Sequence, residues 1–455
     1  MAGLYPGLVR SVIYPLVQRM RGRRGILGQL QWLEQTQWLS PEELHNLQWE
    51  KLKKLLTYSF ANVPYYKDMF EAKGLTPEDI QTPEDFRKLP LLSKEDIMAN
   101  FSKLTSRQYS RSDLIPNSTG GSTGVNLSFF NDKKRASTEL AVGLRGDQWA
   151  GLEVRDKSAH LWGSPFDLSR QRCLINIIGN QILRRLFLSS YNLSEETMYV
   201  YARKLAHYQP KVIIGYSSPL YLFAKFLQEK GIKGIRPQSI ISSAETLYDF
   251  QRQLIESVFQ CPVFNRYGSR EFGAIAVECP EHNGLHLNIE HVYVECVKDN
   301  EPASPGEVGE LVITNLDNYG MPFIRYRIGD VAVPSDRKCN CGRGLPLLER
   351  IEGRTFDVVA GTNGRCLGGT FWTLLLRTFI KGISQFQVVQ KAKDQIDITI
   401  VTNEAFKIGY IDLLKSKVRE YCGSDMQVNF YTVPSIPVGK SGKFRFVVSK
   451  IHSTK

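Results

Sequence analysis

No stretch of about 18 consecutive apolar residues occurs in the 455-residue chain, so no membrane-spanning helix is expected. Internal repeats and low-complexity tracts are missing too, which sets aside solenoid, collagen-like and disordered readings. Cysteine is too sparse for a disulfide scaffold: Cys173, Cys261, Cys279, Cys296, Cys339, Cys341, Cys366 and Cys422 are all there are. The start, MAGLYPGLVRSVIYPLVQRM, has neither a basic leading region nor a clean apolar run and does not read as a secretory signal. Reduced thiols in the cytoplasm are the expectation. Acidic residues are absent from residues 1–33, which hold five arginines: Arg10, Arg19, Arg21, Arg23 and Arg24. Leu4, Tyr5, Leu8, Val9, Ile13, Tyr14 and Leu16 interleave with them, a pattern suited to weak peripheral contact with an anionic membrane surface. A merely solubilising basic end is the competing reading. No nucleic-acid motif accompanies the net charge of +12, so no nucleic-acid partner is expected.

What is present is ordinary globular material: 42% hydrophobic and 23% charged residues, with length for a large domain and an appendage. Residues 1–110 read as largely helical. Ser40 before Pro41 makes a good helix start, and apolar residues follow at three- and four-residue spacing. From about 110 to 350, runs such as KVIIGYSS, PLYLFAKFLQEKG and SIISSAETL alternate strand and helix patterns, which argues an α/β layering with a largely parallel sheet. LHLNIEHVYVECV alternates strictly and reads as strand, and GEVGELVITNL follows a turn. The last hundred residues, with QFQVVQKAKDQIDITIVTN, IDLLKSKVREYCG and MQVNFYTV, read as a small α+β domain. The predicted division is 1–352 and 353–455.

The most informative stretch is Asn117-Ser-Thr-Gly-Gly-Ser-Thr-Gly124, with three glycines and four hydroxyl side chains in eight residues. Glycine lets backbone N–H groups close around an anion, and hydroxyls add donors, which suits a polyphosphate. The Lys-Ser/Thr ending of a Walker loop is missing, and the VNLSFF that follows reads as a strand. The loop is therefore expected to join two strands rather than open a helix. A flexible Gly/Ser turn is the bland alternative.

Four more segments follow in order: Tyr267-Gly-Ser-Arg-Glu271, Tyr326-Arg-Ile-Gly-Asp330, Gly353-Arg354-Thr-Phe-Asp357 and Ser441-Gly-Lys443. With the loop they resemble the motifs of the adenylate-forming superfamily (acyl-CoA synthetases, peptide-synthetase adenylation domains, luciferases). Asn62-Val-Pro-Tyr-Tyr66, Ile214-Gly-Tyr-Ser217, Ser243-Ala-Glu245 and Met321-Pro-Phe-Ile-Arg-Tyr326 are similar to its phenylacetate–coenzyme A ligase branch, which includes relatives associated with capsular-polysaccharide gene sets. The resemblance implies a large multi-sheet N-terminal domain that binds ATP and an acid, and a small mobile α+β lid.

It also implies roles. Thr119, Gly120, Gly121, Ser122, Thr123 and Gly124 hold the β- and γ-phosphates, and Ser118, Ser243, Ala244, Glu245, Gly268 and Ser269 line the nucleotide. Tyr267 stacks on adenine, Asp330 accepts from the ribose hydroxyls, and Glu271 helps hold Mg²⁺. Arg354 reaches the nucleotide, and Lys443 bridges the attacking carboxylate and the α-phosphate. Arg270 stands where the superfamily usually has Thr or Ser, and Phe356 where its hinge usually has Asp or Lys. The chemistry needs such groups: a carboxylate is a poor electrophile, attack on the α-phosphorus of ATP converts its oxygen into the leaving group AMP, and charge then builds on phosphoryl oxygens.

The implied partners are a small-molecule carboxylic acid and a thiol or amine acceptor, coenzyme A first. A non-catalytic binding protein that kept the fold is the rival class. Separately, Cys279-Pro-Glu-His282 and Cys339-Asn-Cys341 offer four ligands for a tetrahedral structural zinc, which some members of this branch carry; plain reduced thiols are the alternative. His160, in AHLWGSP, lies where an acyl pocket is conceivable, although a structural histidine is the commoner outcome.

Overall fold

The helical N-terminal region is built from strong local signals. In the computed structural model, which describes residues 12–20, 23–119, 127–162, 179–190, 193–354, 359–363, 366–367, 372, 375–376, 382–437 and 445–451, Ser40 caps the helix Pro41–Asn62. The Glu43 amide donates to Ser40 Oγ (3.2 Å) and the Ser40 amide donates to Glu43 (2.8 Å), a box worth about 1 kcal/mol. Pro64 forces Val63 out of the helical region, so the helix stops there and a second, Pro64–Lys73, runs to Gly74. Leu44, Leu52, Leu55, Leu56, Tyr66 and Phe70 are buried and enter the main core. Among the described residues this region also holds the helices Ile26–Thr36, Pro83–Arg87 and Lys94–Ala99.

The centre is a twelve-stranded sheet. Its order is Glu301–Pro302, Val292–Lys298, Gly309–Asn315, Tyr326–Ser335, Leu347–Arg354, Leu285–Leu287, Gly273–Glu278, Val263–Ser269, Ser239–Ser243, Val212–Tyr216, Ser158–Trp162 and Arg185–Ser189. Only the run from Val263–Ser269 to Arg185–Ser189 is parallel; from Val263–Ser269 onward in the other direction every pairing is antiparallel. The sheet is thus mixed, and the parallel expectation applies to residues 158–269. Helices Glu195–Tyr208, Ser217–Glu229 and Asp249–Phe259 cover one face of the parallel part through Leu205, Phe223, Leu227, Ile255 and Phe259.

The alternation in LHLNIEHVYVECV proved to be two strands, because Asn288–His291 leave the ladder. Their side chains are buried and occupied elsewhere. Arg145 donates to Asn288 Oδ1 (2.6 Å) and to Glu290 Oε2 (3.1 Å) with both members of the ion pair fully buried. Removing one partner of such a pair costs about 3–5 kcal/mol.

His291 lies 2.8 Å from Asp317, which also meets Lys51 at 2.7 Å. Burial by itself raises the Asp317 carboxyl, but Lys51 and His291 outweigh it and hold it at about 2. The folded value lies below the unfolded value of about 3.9, so this stabilisation is complete above about pH 4 and is lost as pH falls toward about 2. We expect Asp317→Asn to flatten the melting-temperature profile across that interval, removing about 2 kcal/mol of its acid dependence. A profile superimposable on the wild type would clear Asp317 of that role.

Beyond residue 359 a separate core forms. The hairpin Ile383–Ala392/Gln395–Thr402, the parallel strands Gln427–Thr432 and Val447–Ser449, and the helix Tyr410–Cys422 enclose Phe386, Val388, Ile398, Leu414 and Val418. Phe446 meets Tyr248 and Phe250 of the large domain, with ring centroids 5.1 and 5.9 Å apart.

Candidate active site

Ligands of open α/β sheets bind outside the carboxyl ends of the parallel strands. Three candidate segments sit there. After Ser239–Ser243 the chain turns through Ala244 at φ +66, a left-handed conformation that is strained for alanine. Glu245 Oε2 accepts from the Ser218 amide (2.7 Å) at the start of helix Ser217–Glu229, and Ser217 Oγ donates to the Glu245 carbonyl (3.1 Å). Ser243 Oγ donates to the Arg266 carbonyl (2.9 Å). The Ser243–Glu245 turn is therefore bolted to the preceding strand–helix junction. Glu245 acts there as a helix cap, which explains why Ile214-Gly-Tyr-Ser217 and Ser243-Ala-Glu245 occur together.

The strand Val263–Ser269 carries Tyr267, whose hydroxyl donates to Asp330 Oδ2 at 2.7 Å. Three strands separate the two residues in sheet order, so only the curl of the sheet brings them together. Asp330 is paired in register with Arg354, whose backbone ends the strand Leu347–Arg354. Two motifs far apart in sequence become neighbours. A Cβ on Gly268 would lie 2.3 Å from the Gly273 carbonyl, so the turn Ser269–Phe272 requires glycine at that position.

The glycine-rich loop leaves and re-enters an antiparallel pair, Leu114–Ser118 and Ser128–Asp132, in the strand–loop–strand arrangement expected. The Thr119 amide donates to the Leu127 carbonyl and the Leu127 amide to Thr119 Oγ1, both at 2.9 Å, which closes its foot. Asn117 Nδ2 reaches the Arg270 carbonyl at 3.4 Å, so the foot of the loop stands beside the Tyr267–Glu271 segment. Gly120, Gly121, Ser122, Thr123 and Gly124, the hinge residues Phe356 and Asp357, Lys443 and the side chain of Arg354 lie outside the described residues.

His160 is half-buried on the strand Ser158–Trp162, stacked on Phe187 with centroids 4.6 Å apart and 3.1 Å from Ser158 Oγ. Desolvation, reinforced by Arg185 and Arg266, pulls its pKa down to about 3, so it stays neutral. This is a structural histidine.

The metal constellation needs one correction. Cys279, Cys339 and Cys341 converge as expected, but the fourth group is His286, not His282. The four ligand atoms lie within 4.8 Å of one another; Cys279 and Cys339 sulfurs are 3.6 Å apart, and Cys341 Sγ is 3.3 Å from His286 Nε2. His286 Nδ1–H donates to the Leu345 carbonyl at 3.1 Å, which leaves the Nε2 lone pair aimed at the thiols, the usual outer-shell arrangement of a zinc histidine. His282 instead turns to Glu278 (3.2 Å) and Arg252 (3.4 Å). The reason is register: His286 pairs with both Val277 and Leu347, facing the loop that carries Cys339 and Cys341, and spacing along the chain does not reveal that. The donor set fits a closed tetrahedral zinc that ties the Gly273–Glu278/Leu285–Leu287 hairpin to the 336–346 loop.

Comparison with known proteins agrees with this architecture. A family model described as the CapK C-terminal domain matches residues 364–450. Protein CapK of Staphylococcus aureus is 26% identical over 412 residues, covering 90% of each chain. The phenylacetate–coenzyme A ligase of Thermus thermophilus is 22% identical over 453 residues, which is 90% of this chain and 97% of that one. Among solved structures, a 2-hydroxyisobutyryl-CoA ligase in the postadenylation state in complex with R3-HIB-AMP superposes with a TM-score of 0.74 at 17% identity, covering 92% of both chains. The chain is a homologue of CapK and of the phenylacetate–coenzyme A ligases, and its fold is that of the adenylate-forming enzymes.

Proposed function

We propose that this protein is an ATP-dependent, AMP-forming ligase that activates a small carboxylic acid and passes the acyl group to coenzyme A. The observation that carries the reading is the joining of Tyr267 and Asp330 beside the foot of the glycine-rich loop, at the carboxyl ends of the parallel strands. Tyr267 offers a flat face to adenine, Asp330 an acceptor to the ribose, and the 119–124 loop amide donors to the β- and γ-phosphates. In the first step a carboxylate oxygen attacks the α-phosphorus; a P–O bond forms, the bond to the β-phosphate oxygen breaks, and pyrophosphate leaves. In the second, the acceptor's sulfur attacks the acyl carbon and AMP departs. Lys443 neutralises charge in the first step only, so the lid is expected to swing about residues 353–357 between steps. Mg²⁺, which Glu271 would help hold, supplies charge neutralisation at the phosphates.

A second reading replaces the thiol by an amine and gives an amide, in polysaccharide or natural-product biosynthesis. It is favoured by an indoleacetate–lysine synthetase of Pseudomonas savastanoi, 27% identical over 128 residues. A hydroxylamine-trapping screen of carboxylic acids with ATP tests activation, and acceptor trials on the hits choose between thiol and amine. No acid-dependent AMP release across a broad panel would favour a non-catalytic binding protein.

We place the chain in the cytoplasm, where cysteines stay reduced: none of the six described in full is in a disulfide. Among the described residues no helix is long and apolar enough to cross a membrane. A weak surface contact remains part of the proposal. Val12, Leu16 and Met20 recur every fourth residue and are 44%, 54% and 84% exposed, beside exposed Arg19 and Arg24. Flotation with anionic against neutral vesicles should show binding to the anionic ones alone, weakened by salt; no binding to either removes the contact.

A further inference from the structure

We propose that Arg135 is a positioning residue for the nucleotide site, locking the Tyr267–Glu271 segment and the foot of the glycine-rich loop into one unit. The inference rests on the reading of that site given above. Arg135 lies in the first turn of helix Lys133–Trp149, which leaves the second strand of the loop's hairpin directly, and it has no exposed surface. A guanidinium is seldom buried so completely without a task. This one donates to the Glu271 carbonyl at 2.6 Å and reaches the Arg270 carbonyl at 3.5 Å, while its other arm pairs with Glu139 at 2.9 Å.

The neighbouring carbonyls are held as well. Asn117, at the foot of the loop, reaches the Arg270 carbonyl, and His291 Nε2–H donates to the Phe272 carbonyl at 3.0 Å. Three consecutive carbonyls, those of Arg270, Glu271 and Phe272, are thus gripped from three elements: the hairpin, the helix after it, and the buried Lys51–Asp317–His291 chain. Glu139, the ion partner of Arg135, packs where a Cβ on Gly273 would be, 2.4 Å from its Cγ, which fixes the far end of the same turn. The root of the helix is itself clamped. The Arg135 amide donates to Asp132 Oδ1 (2.7 Å), and Asp132 Oδ2 accepts from the Tyr319 amide (2.7 Å). A backbone held at successive carbonyls cannot rotate its peptides, so the directions in which the Arg270 and Glu271 side chains leave the chain are set by Arg135. A residue in that place acts on phosphate and Mg²⁺ binding and leaves the acid alone.

The test uses the full chain and its Arg135→Lys, Arg135→Met and Asn117→Ala variants, with thermal melts to show folding. Two readouts are taken: Mg²⁺-ATP affinity by calorimetry, and the KM values for Mg²⁺-ATP and for the acid in hydroxylamine trapping. Loss of one charge-assisted hydrogen bond predicts Mg²⁺-ATP affinity weakened about tenfold or more in Arg135→Met, partly recovered in Arg135→Lys, with the KM for the acid changed less than about twofold. Asn117→Ala should shift the same parameter more weakly, and it serves where Arg135→Met does not fold. A folded variant with unchanged Mg²⁺-ATP affinity, or an equal loss for both substrates, overturns the proposal. A wild type that binds Mg²⁺-ATP yet activates no acid would defeat the ligase reading while leaving Arg135 decided by affinity; one that binds no nucleotide defeats both.

Discussion

Lys443→Ala is expected to lower acid-dependent ATP–pyrophosphate exchange by about a hundredfold or more while leaving the melting temperature within about 2 °C of the wild type. The size follows from the chemistry. Negative charge concentrates on the α-phosphoryl oxygens as the carboxylate attacks, and removing one preorganised positive donor at such a centre costs about 10²–10³ in rate. A compact ammonium on a four-carbon stem can reach between two anions, which a fixed arginine fork does less well. Lys440 is the internal control: it lies three residues earlier in the same GKSGK tail, and its alanine variant should retain exchange. The second half-reaction gives a sharper check. Supplied with preformed acyl-adenylate and acceptor, Lys443→Ala should still release AMP near the wild-type rate, since the role proposed for this lysine belongs to the first step alone. Undiminished exchange in Lys443→Ala, or equal damage to both half-reactions, would take the residue out of its proposed role.

The second large effect concerns the zinc. Purified protein should carry about one zinc per chain. His286→Ala should lose most of it and unfold at a clearly lower temperature, whereas His282→Ala should keep both metal and stability. The contrast follows from the geometry: His286 Nε2 sits 3.3 Å from Cys341 Sγ with its other nitrogen hydrogen-bonded away, while His282 faces Glu278 and Arg252. A structural zinc contributes directly to folding free energy, so chelation should destabilise the wild type and leave the already metal-free His286→Ala unaffected. The loop it anchors also packs against the N-terminal helices. The Gly344 amide donates to the Gln37 carbonyl (3.1 Å), and Arg343 lies over both Trp38 and Trp149. Metal loss is therefore expected to loosen residues 26–40, measurable as faster amide exchange there. Metal-free wild type that melts like the metal-loaded protein would refute a structural role.

The features the structure shares with the sequence reading are those whose signals are local. A cluster of glycine and hydroxyl residues between two apolar runs breaks the strand pattern, and the strands Leu114–Ser118 and Ser128–Asp132 flank it as the pattern indicated. Ser40 and Pro41 announced a helix start through hydrogen bonds confined to four residues. What could not be read depended on which strands lie side by side. LHLNIEHVY alternates like one strand, yet Asn288, Glu290 and His291 leave the ladder to satisfy Arg145, Phe272 and Asp317, groups far off in sequence.

Residue order by itself supplied the proposed chemistry, through the succession of glycine-rich, Tyr267, Asp330 and Lys443 motifs, and it announced a large layered domain followed by a small one. Those are properties of residue type and short spacing, set by backbone sterics and capping. It took the assembled fold to bring His286 rather than His282 to the thiol cluster, Tyr267 to Asp330, and Arg135 to the Glu271 carbonyl. Each of these is fixed by strand register and sheet curvature, which arise from packing the whole core and leave no trace in the local pattern.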